Sequence, residues 1–563
     1  MRRIALLAIL ILAFAVRAYG VDFPRYHWDE NTNMDSVLYA SYHRLALPTY
    51  VHGSFFQYSV LALWSVYLWV SGVAPTTQNL LLAFFRDTQV LVLARLFLVA
   101  VGTMTVAVTY LLGKRLYNTT TGLLAAFLLA LTCLHAFESH YARGHVLAAF
   151  FVTLAVYFCA RILHMGRARD YVLAGVSIGL ATAAQYSALL ALAPLIVAHA
   201  WRARTWRARL WHRSLLLGLD SAGVAFFLVT PYALLNFPFF AGEMKWFLTQ
   251  VVSHTWVDAE GQPVWLFYLT EHLRNGMGLG LEIVALLGIV YALARHRPAD
   301  WVLLAFPLLL FLSLARGENF ARYALPLLPF LTIAAVRGLH DLAERLRTRV
   351  APRVVSLSLA LVAGLLMLPS FQNIVRYDFW LTQPDTRAQA AEWIRTHIPR
   401  EASIVVEGAG VLGPPVPPSR AMLDRLIDPT LRDFGSLYFW AMREQISRED
   451  GYRVETVFRL DERHEGGILV GKVASASEYV VRGVDYVVTV SWMQRDASSR
   501  YAPEFEQSLA AAYTPVAEFQ PTIVFRFDPY AWRMDYEALA RVVPGQAGVG
   551  GPILRIYQRR LGE

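Results

Sequence analysis

Cysteine and charge are what this sequence has least of. Its 563 residues include two cysteines, Cys133 and Cys159, both inside apolar runs, so neither a disulfide framework nor a paired-cysteine metal site is available. Charged residues make up 17% of the chain, against about 25% for an ordinary soluble domain. Acid is the scarcer sign: 42 Asp and Glu stand against 51 Lys and Arg, a formal net charge of +9. That surplus does not point to nucleic acid. The basic residues gather in short loops between apolar runs, as Arg202, Arg204, Arg207, Arg209 and Arg213 do, which is how cytoplasmic loops of membrane proteins are marked. No internal repeat is visible, so the inverted-repeat signature of many transporters is missing.

What the chain does have is apolar length. Hydrophobic residues are 56% of it, with 15 Trp and 27 Tyr, rings that favour the lipid–water interface. Apolar runs fall near 4–20, 55–73, 89–112, 122–137, 145–164, 172–199, 215–235, 278–294, 299–315, 321–336 and 354–370. A helix needs about 20 residues to cross a hydrocarbon core. Lys114, Arg115, Arg161, Arg167, Arg169, Arg295, Arg297 and the stretch from Arg337 to Arg353 then orient the runs, all facing the cytoplasm. Residues 1–20 read as an uncleaved first helix, because Arg17 falls where small residues would precede cleavage of a signal peptide. Run 55–73 cannot cross once without moving Lys114 and Arg115 outside, so it reads as an outer-face or re-entrant helix. Run 172–199 has basic residues at both ends and reads as two short helices broken near Gln185 and Tyr186, a form tolerated where it lines a protein cavity.

The expected fold is therefore an α-helical polytopic membrane protein of about 11 crossings, with outer-face juxtamembrane helices. Residues 1–370 are the transmembrane domain and 371–563 a C-terminal extracytoplasmic α/β domain. The amino end lies in the cytoplasm and the multi-pass chain sits in the plasma membrane. In the tail, Pro384-Asp385-Thr386 starts a helix to about His397, with Trp393 and Ile394 on its apolar face. Runs 403–406, 485–490, 522–527 and 553–557 have strand character.

The chemistry-bearing residues stand in the outer loops. The first begins His27-Trp28-Asp29-Glu30. A sugar transfer needs a base to take the acceptor hydroxyl's proton, and a carboxylate serves. The plainer alternative is that Asp29 and Glu30 cap a helix over about 31–45. The second loop carries Glu138, His140, Arg143 and His145, ionisable groups where such groups are expensive. Glu138, His140 and His145 suit an acceptor sugar or a divalent metal, the metal through Glu138 and His140 above all, or the loop contacts a phosphate with the help of Arg143; a solvated turn is the bland reading. The third carries Arg316 and Arg322, and a guanidinium fork fits a lipid phosphate, interfacial snorkelling being the alternative. His254, in the loop 236–276, lies among Trp256, Asp258, Glu260, Trp265 and Tyr268, where rings and carboxylates hold a sugar or form an aromatic belt. Asn118-Thr119-Thr120 is a glycosylation sequon on the cytoplasmic side of this topology and is discounted.

In order and spacing, four stretches resemble one family. They are Asp29-Glu30; Ala94-Arg95 through Leu112-Gly113-Lys114-Arg115 and Gly122-Leu123-Leu124-Ala125-Ala126 to Ser139-His140-Tyr141-Ala142-Arg143; Leu173-Ala174-Gly175 through Gly179 to Gln185-Tyr186; and Arg322-Tyr323-Ala324-Leu325-Pro326 with Pro329. The chain resembles the lipid-carrier-dependent glycosyltransferases of the C-type membrane fold, in the branch of the protein O-mannosyltransferases and the lipid A aminoarabinose transferases. The likeness covers about 1–370, and more loosely the tail through Trp393 and Val484–Val488. It implies inverting transfer from a polyprenyl-phosphate sugar to a protein, lipid or glycan acceptor on the outer face of a prokaryotic plasma membrane. It makes Asp29 the catalytic base and Glu30 its neighbour in binding. Arg322 then lies near the carrier phosphate, with Arg143, Arg316 and Gln185 as further phosphate-side candidates. Gln185 stands where the family usually has Lys. His145 stands where it often has Asp, which makes Glu138 the substitute acid. No cofactor is fixed, and a divalent metal stays open. The competing readings are a flippase or transporter of lipid-linked sugars, which needs polar groups at mid-membrane depth on several helices, and an inactive membrane scaffold.

Overall fold

The computed structural model describes residues 2–24, 28–51, 53–86, 89–203, 212–251, 261–315, 320–346, 350–407, 413–427, 433–446, 451–457, 462–465, 468–472, 475–491, 501–525 and 534–560. The chain divides into two compact units. Met1–Val21, His43–Leu63 and Val92–Val375 form the first; Asp22–Tyr42, Trp64–Leu91 and Arg376–Glu563 form the second.

The first unit is helical. Among the described residues, four helices of the chain are long and apolar enough to cross a membrane: Gln89–Leu116, His145–Met165, Ala321–Arg345 and Arg353–Leu381. Val264–Met277 and Leu279–Arg295 add a candidate bent by 117°, at Gly278, whose positive φ of 89° is cheap only for glycine. The other apolar runs are shorter helices, among them Thr119–Ala130, Tyr186–Arg202 and Pro298–Leu314. The break expected in run 172–199 is present: helix Ala168–Ala184 stops at Gln185, in extended backbone (φ −157°, ψ 122°), and a 3₁₀ turn leads into Leu192–Arg202.

Two lipid-phase devices hold these helices. The first is small residues. A Cβ on Gly175 would fall on the Gly218 carbonyl of Arg213–Val229, and one on Gly179 would fall on the Ala222 carbonyl. Lipid tails are as apolar as leucine, so backbones must approach closely for dispersion to favour association. Gly179→Leu is expected to cost about 1–3 kcal/mol by overpacking, read as a lower unfolding midpoint in detergent; an unchanged midpoint would remove this contact from the account. The second device is buried charge. Asp300 and Arg337 are 1% and 3% exposed. Tyr117 donates to Asp300 Oδ1 at 2.6 Å, Arg337 Nε lies 3.8 Å from the same atom, and Arg337 also pairs with Asp341. Asp300→Ala leaves the buried Arg337 with Asp341 as its acid partner and removes the acceptor of Tyr117, and removing one side of a buried pair costs up to about 3–5 kcal/mol. A midpoint in detergent within error of the parent would show that Arg337 needs only Asp341.

The second unit contains a five-stranded sheet. Its strands are β1 (Ser403–Glu407), β2 (Arg453–Val457), β5 (Tyr486–Ser491), β6 (Tyr513–Phe519) and β7 (Ile553–Arg559), in the order β2-β1-β5-β7-β6; β3 (Glu462–Glu465) and β4 (Ile468–Lys472) form a separate hairpin. β1 is parallel to β2 and β5, and β7 is antiparallel to β5 and β6. Successive side chains point to opposite faces. Ile404, Val406, Val488 and Ile556 therefore pack with Ile394 and Ile398 of the helix side, while Val405 and Val487 pack with Tyr479, Phe505 and Leu509. Both faces are covered, which is why β1 and β5 read as continuous apolar runs. Helix Thr386–His397 starts where expected, with Asp385 accepting from Arg387 N at 2.8 Å.

One strand is misplaced in the sequence reading. Residues 521–525 are irregular rather than β. The edge strand lies earlier, at β6, and Pro521, which has no N–H to pair, follows its end.

The second unit also takes two segments from the amino-terminal half. Helices Trp28–Tyr42 and Thr77–Arg86 lie against Phe434–Arg443. Tyr39 meets Phe434 edge-on at 5.4 Å, and Phe85 meets Tyr438 at 4.9 Å.

Candidate functional site

The sequence candidates fall in both units, and each group has its own geometry. Asp29 and Glu30 belong to the second unit. They occupy the first turn of helix Trp28–Tyr42, which begins about three residues earlier than expected. They are thus inside the helix and not before it, so neither is an N-cap, although both still meet the positive end of the helix dipole. Adjacent residues on a helix point about 100° apart. The two carboxylates accordingly differ: Asp29 is half-buried, while Glu30 is 1% exposed. One carboxyl is reachable and the other is interior.

The remaining described candidates belong to the first unit. Glu138 ends the short helix Cys133–Glu138 and pairs with Arg143 at 2.8 Å, both nearly fully buried. The Arg143 guanidinium also lies 4.9 Å from the Tyr141 ring centre. Gly144 lets the next helix start hard against the end of Ala168–Ala184, since a Cβ there would meet the Ala184 carbonyl at 3.0 Å. That contact brings the second loop beside Gln185, which is half-buried and whose amide oxygen accepts no hydrogen bond among the described residues. The His145 ring sits 5.4 Å from that of Tyr323. This places the Arg322 segment at the same helix start. Arg322 is 8% exposed, with its guanidinium 3.9 Å from the Phe320 ring centre. Three stretches that the sequence separates by tens of residues thus meet.

His140 corrects an expectation. Its Nδ1 lies 2.9 Å from the Ala136 carbonyl and its Nε2 3.0 Å from the Tyr19 carbonyl. In any protonation state both nitrogens face oxygen, so the ring offers no lone pair to a metal and instead ties the second loop to the first helix. Glu138 is clasped by Arg143. Among the described residues, no group of three or more His, Cys, Asp or Glu is arranged to hold an ion. The expected Glu138–His140 metal pair does not fit. Arg316 and His254 lie outside the described residues.

Sequence reasoning missed two buried cations. Arg17 donates to the carbonyls of Ala13 and Ala130 at 2.8 and 3.0 Å, and its NH2 lies 3.0 Å from His135 Nδ1. Arg95 donates to the Val21 carbonyl at 3.0 Å. Both are 0% exposed. The available signal was an arginine inside an otherwise apolar run.

Residues 73–235 match the family model described as dolichyl-phosphate-mannose-protein mannosyltransferase. The structure is similar to that of ArnT from Cupriavidus metallidurans in the apo state, at 12% identity, over 98% of this chain and 97% of that one, with a TM-score of 0.55. The same protein bound to undecaprenyl phosphate matches at 13% identity, over 98% and 97%, with a TM-score of 0.53. The fold is the one shared with ArnT. An oligosaccharyltransferase, AglB from Archaeoglobus fulgidus, is more distant, at 12% identity over 99% of this chain and 88% of that one, with a TM-score of 0.48. No curated protein matches the chain. The resemblance drawn from the ordered motifs is thus met by the family domain and by the fold, that of a polytopic membrane protein with a C-terminal sheet domain.

Proposed function

We propose that this chain is an inverting glycosyltransferase that moves a sugar from a polyprenyl-phosphate carrier to an acceptor hydroxyl on the outer face of the plasma membrane. The observation that carries the reading is the meeting of Arg143, Gln185 and Arg322 segments at one end of a helical unit, in a chain whose fold is shared with a protein crystallised with undecaprenyl phosphate.

Asp29 takes the proton from the acceptor hydroxyl as its oxygen attacks the anomeric carbon. The bond from that carbon to the carrier's phosphate oxygen breaks in the same displacement, so configuration inverts. The departing phosphate gains charge, and Arg322 with Arg143 holds it. Fixed cations in a dry site act on developing charge without reorganising. In this reading the Gln185 amide, whose oxygen accepts no hydrogen bond among the described residues, hydrogen-bonds the carrier-linked sugar, and Glu30, interior, supports the helix turn that carries Asp29. His145 and Glu138 shape the donor side through Tyr323 and Arg143. Among the described residues the Glu138–His140 pair does not fit a divalent metal. In this reading the amino end is cytoplasmic and the sheet domain extracytoplasmic, the orientation that the basic loops favour.

The test is turnover of purified protein in detergent with polyprenyl-phosphate-linked hexoses and pentoses. Release of polyprenyl phosphate is expected, with NMR of the product showing an inverted anomer. No turnover with any carrier-linked sugar would leave the scaffold reading in its place.

A further inference from the structure

Helix Arg213–Val229 carries one carboxylate where a membrane helix can least keep one. Its outward face is apolar, with Leu216, Leu217, Val224, Phe227 and Leu228 exposed. In a polytopic membrane protein such a face meets lipid. Asp220 stands on the same face and is exposed with them. It lies about 10 Å along the helix from Arg213. Its side chain is too short to reach back to the interface, as a lysine would. Acids at such depth nearly always turn into the bundle or pair with another group. Asp220 does neither: among the described residues it makes no hydrogen bond or ion pair.

Asp220 opens into a groove of about 340 Å³ between this helix and Ala168–Ala184, and every residue that lines it belongs to those two helices. The groove follows from the glycine contacts described above. Gly175 against Gly218 and Gly179 against Ala222 bring the backbones together. Val176 and Leu180 then stand on one side, with Leu217, Val224 and Leu228 on the other. Residues spaced three and four apart form a ridge, and the furrow between two ridges is what a third helix packs into. Gly223 adds a notch beside Asp220. A Cβ there would meet nothing within 4 Å, so another backbone can come close.

The polar groups of the groove narrow its occupant. An ionised Asp220 accepts hydrogen bonds and donates none. Ser221 Oγ gives its single hydrogen to the Leu217 carbonyl at 2.6 Å and has only lone pairs left. The groove thus offers acceptors and no donor, so its complement brings a donor. Beside a carboxylate at low dielectric, the favoured donor is a cation. A phospholipid does not supply one, because its amine stays at headgroup level and its tails hold no donor. A second copy docked through the same face would set Asp220 against Asp220 across a two-fold axis, and like charges oppose that.

We propose that this groove docks a transmembrane helix of a different protein, one that carries a single lysine or arginine at the depth of Asp220. The probe is a synthetic polyleucine helix of about 20 residues with one lysine about 10 Å from one end. Matched peptides carry leucine or glutamate at that position. The full-length protein is placed in lipid bilayers with a donor dye on a cysteine introduced at the exposed Leu235; the native Cys133 and Cys159 are buried. The acceptor dye is on the peptide. Saturable energy transfer is expected with the lysine peptide, at an affinity about tenfold above that of the leucine peptide, and unlabelled lysine peptide competes it away. Asp220→Asn is expected to bring the lysine peptide down to the leucine level with the unfolding midpoint unchanged. The proposal is overturned by equal affinity for the lysine and leucine peptides, by a glutamate peptide that binds as well as the lysine one, or by an Asp220→Asn protein that keeps the preference. Energy transfer between donor- and acceptor-labelled copies of the protein, without peptide and strengthened by Asp220→Asn, would also overturn it and give the groove to a second copy.

Discussion

Asp29→Asn is expected to abolish sugar transfer while the protein still inserts and folds. The change keeps the size of the side chain and removes its capacity to take a proton. General-base assistance is worth about 10²–10⁴ in rate. The structural cost is small by comparison. Asp29 stands in the first turn of helix Trp28–Tyr42, and losing a charge at the positive end of a helix costs roughly 0.3–1 kcal/mol. A helix held by Tyr39 against Phe434 tolerates that. The measurement is transfer from a purified carrier-linked sugar, with gel filtration and the unfolding midpoint as controls. Normal transfer by the variant would take Asp29 out of the mechanism. Glu30→Gln serves as contrast. Its position is interior, so its effect is expected first in the unfolding midpoint.

Arg322→Ala is expected to lower turnover by about 10²–10³, the loss seen when one fixed donor to a developing charge is removed. Affinity for the free polyprenyl phosphate falls with it. Two further substitutions separate charge from packing. Arg322 lies on the Phe320 ring and so contributes contact area as well as charge. Arg322→Met keeps much of the stem and loses the charge, and it is expected to behave like the alanine variant. Arg322→Lys keeps the charge and loses the fork, and it is expected to recover activity only in part. Full activity in Arg322→Met would assign the residue to interfacial packing.

Much of the architecture was legible because the signals are local. Apolar length, basic loops and the polar interruption at Gln185 each depend on a few neighbouring residues, and the break at Gln185 is where the helix ends. The tail was legible in part. Ser403–Glu407 and Tyr486–Ser491 are interior strands with both faces covered, and their apolar runs show it. β6 was missed because it is an edge strand whose side chains are mostly exposed, so no apolar alternation marks it. His140 looked like a ligand because ring chemistry is visible in sequence and hydrogen-bond partners are not. Its two carbonyl partners, at Ala136 and Tyr19, include one from the turn that follows the first helix.

By itself, then, the sequence determined a many-helix bilayer protein whose C-terminal part is α/β, the segments that carry acid and arginine, and the family that their motif order resembles. Hydrophobic length and loop charge are properties of single stretches, and the bilayer reads them one stretch at a time. Only the tertiary structure decided that residues 22–42 and 64–91 join the tail as one compact unit, that Arg143, Gln185 and Arg322 segments meet, and that Asp29 and Glu30 face different surroundings. Those outcomes depend on close approach between distant residues, through contacts such as Gly144 against Ala184 and His145 against Tyr323. Packing of that kind is set by the shape of both partners at once, and neither stretch records it alone.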